Sequence, residues 1–207
     1  MKFACVPRFN FRSIRKMAIE SRKTAINIFA NNYDIPIYVS FPGGPIQHKN
    51  RLVKKYSMHQ LKSKLGSTLQ EVANECFEKH LIGMMAISNK DKNVMNQIFM
   101  PLLFNNLVEK FIDDGFRLIF HPVRLISAPE VYDGTSTGEV DQVSVCFKIE
   151  QCLEVRNSSN FCVDTAQLEP RVFDECIVFS RMESIQNKEW MISGRIDKKT
   201  EVTNEIQ

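Results

Sequence analysis

The chain has 207 residues, of which 43% are apolar and 25% charged, with a net charge of +3. That is enough for one hydrophobic core plus an extension, and no run of eighteen apolar residues is present to form a membrane-spanning helix. The small net charge hides a split: residues 1–65 carry thirteen Lys and Arg against Glu20 and Asp34, while the remainder carries fourteen against twenty-two Asp and Glu. Such sorting predicts a basic arm directed at something anionic and a separate packed domain behind it.

The first residues, MKFACVPRFNFRSIRKMAIESRK, are rich in Arg and Lys and nearly free of acid, a composition like that of an organellar transit peptide. Arg8, Arg12, Arg15, Lys16, Arg22 and Lys23 are the predicted anion contacts here. Ile35-Pro36-Ile37-Tyr38-Val39-Ser40-Phe41 reads as extended chain, ended by Pro42-Gly43-Gly44-Pro45. It is too apolar for a simple linker, so Tyr38 and Phe41 are expected to lie across another protein's surface. Residues 49–64 form a second basic cluster, with Lys54 and Lys55 as anion contacts and a short helix as its expected form. Residues 1–65 are thus assigned to the extended basic arm.

At Ser67 the pattern changes. A capping box is available as Ser67 with Gln70 or Thr68 with Glu71. Leu69, Val72, Ala73, Cys76, Phe77, His80, Leu81, Met84 and Met85 then recur at helical spacing, predicting a long amphipathic helix. A second helical region runs over about 91–114, with Pro101 opening its second half and Gly115 stopping it. Beyond Gly115 the period becomes two. Residues 116–127 read as strand, and Val143, Val145, Phe147, Ile149, Gln151, Leu153 and Val155 form the apolar row of a long one. Its other row is Ser144, Cys146, Lys148, Glu150, Cys152, Glu154 and Arg156. Strands over about 172–182 and 189–196 complete the pattern. Helices followed by a strand meander predict an α+β domain over 66–197, with 198–207 as a polar tail.

The helix at 68–86, Phe111-Ile112-Asp113-Asp114-Gly115-Phe116, Val143-Ser144-Val145-Cys146-Phe147, Ile177-Val178-Phe179-Ser180-Arg181 and Glu189-Trp190-Met191-Ile192 together resemble a known domain. It is the C-terminal domain of the mitochondrial inner-membrane import motor's matrix tether (translocase subunit forty-four), also found in a related mitochondrial large-ribosomal-subunit protein. The resemblance implies a curved antiparallel sheet forming a cone packed on helices, similar to nuclear transport factor two and cystatin. Gly115, Phe147, Phe179 and Trp190 would define that fold. The family's aromatic is replaced by Ile177, and the charge-dense segment of the import tether is missing from this chain.

Enzymes of the implied fold need a carboxylate or His base inside the cone with an oxyanion partner. His80, His121, Asp174, Glu150 and Glu154 are the residues of the right type for such a role. His80 reads as a core residue, His121 beside Pro122 as structural, Asp174 as a solvated carboxylate, and the two glutamates as facing away from the apolar row. The six cysteines show no C-x-x-C pair and no zinc spacing, and read as reduced, partly buried thiols. No P-loop or dinucleotide fingerprint occurs.

These readings predict a non-catalytic accessory subunit, without cofactor or small-molecule substrate, of a large assembly on the matrix side of the mitochondrial inner membrane. A respiratory-chain complex, ATP synthase or a mitoribosome–membrane tether would each fit. Partners of the arm would be protein subunits, anionic lipid such as cardiolipin, or ribosomal RNA. The alternatives are a protein-import component and a small-molecule enzyme or lipid-binding cone.

Overall fold

The computed structural model describes residues 50–109, 117–156, 162, 170–182 and 189–196, all within the unit Ile35–Gln207. Arg8, Arg12, Arg15, Lys16, Arg22, Lys23, Tyr38, Phe41, Gly115 and the polar tail lie outside these residues.

Helix α1 is Arg51–Leu65. Asn50 caps it by accepting a hydrogen bond from the Leu52 N–H at 2.9 Å, and Gly66 ends it at φ 66°. That left-handed conformation carries little penalty without a Cβ. Leu61 is fully buried against β1. The basic extended arm expected over 1–65 is therefore corrected at its end, because α1 is folded onto the domain. A run of cations does not prevent helix formation when one apolar residue is seated on a sheet.

Helix α2, Leu69–Asn89, starts with the Thr68–Glu71 box: Thr68 accepts from the Glu71 N–H at 3.2 Å and Glu71 accepts from the Thr68 N–H at 2.7 Å. The two hydrogen bonds from Thr68, backbone first, also hold the Glu71 carboxyl below the usual range. The buried face runs through Val72, Ala73, Cys76, His80, Gly83, Ala86 and Ile87, while Met85 is 62% exposed. The apolar stripe read from sequence is thus rotated toward the small residues. Gly83 shows why: a Cβ there would stand 2.9 Å from Phe99 Cζ and 3.2 Å from Ile192 Cδ1.

The second helical region divides into α3, Lys92–Ile98, and α4, Pro101–Leu107. Asp91 caps α3 and Pro101 opens α4 at its first turn, where its missing N–H leaves no bond unmade. Between them, Met100 N–H donates to the Ile192 carbonyl at 2.9 Å.

The strands are β1 (Arg117–Ser136), β2 (Val140–Arg156), β3 (Arg171–Met182) and β4 (Met191–Arg195). They form one antiparallel sheet in the order β1-β2-β3-β4, so the α+β class holds. β1 is longer than the period suggested because four register shifts break its alternation without ending its pairing with β2. Phe147, Phe179 and Trp190 are buried, together with Met95, Phe99, Met100 and Leu103. Phe77 meets Phe147 edge-on at 4.9 Å between ring centroids.

In the second row of β2, Ser144, Cys146 and Glu154 are buried, and the expectation of reduced thiols is corrected for one cysteine of that row. Cys146 also stands directly opposite Cys176 in the β2–β3 register, their Cα atoms 4.1 Å apart, and the pair is a disulfide. Residues 30 apart meet there because of strand register. Cys76 and Cys152 are free thiols, and burial pushes the Cys76 thiol far up.

Candidate functional site

Helix α1 carries Arg51, Lys54, Lys55, Lys62 and Lys64 and no carboxylate. Close like charges oppose helix formation, so the tertiary contacts decide where the helix sits. At its C-terminal end they are tight. A Cβ on Gly134 of β1 would approach Leu61 Cδ2 to 2.5 Å and the Gln142 carbonyl to 3.1 Å, so glycine permits the helix to lie against the strand.

Lys64 reaches further and fastens the helix to the β1–β2 turn. Its Nζ lies 3.2 Å from the Gly138 carbonyl and 3.2 Å from Asp141 Oδ1. The second contact is an ion pair and not a well-aligned hydrogen bond, because Oδ1 has no partner of proper geometry. Asp141, 2% exposed, also receives Arg181 Nη2 at 2.8 Å, and that guanidinium lies 4.9 Å from the Trp190 ring. Burial pushes the Asp141 carboxyl up, but the contacts with Arg181, Ser136 and Lys64 outweigh it and hold it below its usual range. Asp141→Ala is expected to cost about 2–3 kcal/mol in urea unfolding. That is less than for a fully buried pair, because Lys64 is 30% and Arg181 21% exposed. An unchanged midpoint would refute this role.

With its far end held, the rest of α1 forms one wall of a groove of about 470 Å³. Arg51, Lys55, His59 and Lys62 line it, at positions i, i+4, i+8 and i+11 of one helix face. Met58, Leu69 and Tyr132 supply apolar surface, and the Lys54 ammonium sits 3.5 Å from the centre of the Tyr132 ring. That cation–π contact keeps Lys54 in the groove without neutralising it. Among the described residues, none of Arg51, Lys55, His59 and Lys62 pairs with a carboxylate. A concave surface with this much uncompensated positive charge attracts anions.

Of the predicted contacts, Lys54 and Lys55 fall in this groove. Arg51, His59 and Lys62 were missed, although their helical spacing was visible in the sequence. Tyr132 had no local signal, because it comes from a bulged strand distant in the chain.

The residues weighed for catalysis do not converge. His80 is buried beside Phe77 and Phe147, and burial pushes its pKa down to about 4. Asp174 pairs with Lys148 at 3.7 Å, and Glu150 with Arg124 at 2.6 Å. Glu154 faces away from the main apolar row as expected, yet is only 7% exposed and accepts from Arg156 at 2.7 Å with His121 at 3.0 Å. The Arg156 hydrogen bond first, and then His121, hold its carboxyl low against the cost of burial. Among the described residues, no group of three His, Cys, Asp or Glu could hold a metal ion, and no helix is long and apolar enough to cross a membrane.

The class defined by these features is an α+β domain whose antiparallel sheet carries a docked basic helix. No family model matches the chain and no curated protein matches it. Among solved structures, the crystal structure of the intermembrane space region of chloroplast protein ARC6 is similar over 63% of this chain and 95% of that chain. The identity is 12% and the TM-score 0.43, a likeness too loose to bear on what this chain does.

Proposed function

We propose that this protein is a non-catalytic accessory component of a large assembly, which it enters by engaging an anionic partner in the groove beside α1. In this reading the assembly lies on the matrix side of the mitochondrial inner membrane, as a respiratory-chain or ATP synthase complex or a ribosome–membrane tether. The α+β domain, with a cone-like curvature of its sheet, is the rigid part, and the basic first third is the binding part. The transit-like composition of residues 1–23 supports the compartment. The observation that carries the binding role is the convergence on one concave surface of Arg51, Lys55, His59 and Lys62, none of them paired with a carboxylate among the described residues. The interior between α2–α4 and the sheet is filled by large side chains such as Phe99, Phe147 and Trp190, which supports a scaffolding part over a catalytic one.

The test is native-gel co-migration of the tagged full chain against R51Q/K55Q/K62Q. The three residues are exposed, so the variant is expected to fold normally and to leave the assembly. A variant that still migrates with the complex would remove the groove from the account. A truncation intended to spare the domain belongs before Asn50, since a cut at residue 55 would remove the cap and first turn of α1.

A further inference from the structure

We infer that the groove beside α1 binds single-stranded RNA, with phosphates along the cationic wall and a base against the tyrosine side. This rests on the reading that the groove takes an anionic partner, and it names that partner's chemistry. Arg51, Lys55, His59 and Lys62 occupy successive turns of one helix face. At a rise of about 1.5 Å per residue they stand roughly 5–6 Å apart along a stripe of about 16 Å. A row of cations at that interval suits a flexible chain carrying one negative charge per repeat.

Tyr132, 41% exposed, stands in the groove, and Tyr56, 64% exposed, stands on the outward side of the same helix. A positive groove tracking the backbone beside aromatic rings is how unpaired nucleic acid is held without sequence preference. The competing anions fit less well. An acidic helix would anchor itself through a row of apolar side chains, and here only Met58, Leu69 and Tyr132 among the eight lining residues could receive it. A bilayer surface would need cations and apolar side chains together on a projecting face. Here the cations line a concavity, and Leu52 and Val53, 75% and 48% exposed, are not among its lining residues.

Binding of the full chain to a short fluorescent oligouridine, followed by anisotropy between about 50 and 200 mM salt, tests this. The wild type is expected to bind. R51Q/K55Q/K62Q should weaken binding by about thirtyfold or more and flatten the slope of log affinity against log salt by about 2, since each phosphate contact on a single strand contributes about 0.7. Tyr132→Leu should weaken binding by about tenfold, as loss of stacking does, with a smaller change of slope than the triple variant, since the Lys54 charge is retained. Photo-crosslinking of a thiouridine-substituted strand should mark Tyr132.

Equal binding by the triple variant, or crosslinks confined to other segments, would overturn the inference. So would binding only to cardiolipin-containing vesicles or to an oligoglutamate peptide. If the triple variant leaves its assembly while the wild type fails to bind oligouridine, the RNA assignment falls and the interface stands. If the assembly is indifferent to the triple variant, the interface itself falls.

Discussion

Leu61→Ala is expected to release helix α1 from the domain, with a loss of about 3 kcal/mol in the free energy of opening that helix. Leu61 is the one buried residue among the fifteen of α1. A peptide of that length is marginally helical in water, and this one also places Lys or Arg one turn apart. Its helical form therefore depends on docking, and docking depends on Leu61 against Gly134. Lys64 and Asp141 hold the same end by charge, but an ion pair with a lysine 30% exposed is too weak to replace the buried leucine. The measurement is amide hydrogen exchange resolved by segment. Protection should collapse over 51–65 and persist in α2 and β2, because local opening need not unfold the rest. Since Arg51, Lys55 and Lys62 lose their common wall when α1 detaches, binding at the groove should fall in parallel. Unchanged protection of α1 would show that Leu61 does not anchor it.

A second large effect is a loss of stability on acidification that begins well above the carboxylate range. His80 is neutral in its buried site, with its pKa pushed down from 6.5 to about 4 by burial among aromatic rings. In the unfolded chain it protonates near 6.5, so between those values the unfolded state binds the extra proton. Stability should then fall as pH drops from about 6.5 to about 4, by roughly 3 kcal/mol in all, and be flat in this respect above and below. Asp141 and Glu154 have the opposite shift. They contribute stability above their unfolded values and lose it only as pH falls through their lowered folded ones. The interval from about 6.5 to 4.5 therefore isolates His80. His80→Leu should abolish the slope in that interval and leave the steeper loss below it. Urea midpoints at half-unit pH steps are the readout, and a wild-type curve flat down to the carboxylate range would refute the buried neutral imidazole.

What the sequence determined by itself was local. The capping box and the apolar spacing of α2, the turn chemistry of Pro101 and the alternation of β2 follow from which neighbours a helix or strand places on one face. Phe147 was legible as core for the same reason, whereas Phe179 and Trp190 were expected there only from the family resemblance. The charge split also pointed to Lys54 and Lys55, but not to the surface they serve. Whether α1 lies free or docked turns on a glycine in a distant strand that leaves room for one leucine. The disulfide and the buried Glu154 arise from strand register, and Tyr132 reaches the groove through a bulged edge strand. Such pairings depend on how separate elements meet. A periodicity carries no information about that, because the same alternation is compatible with many registers and only the packed sheet selects one.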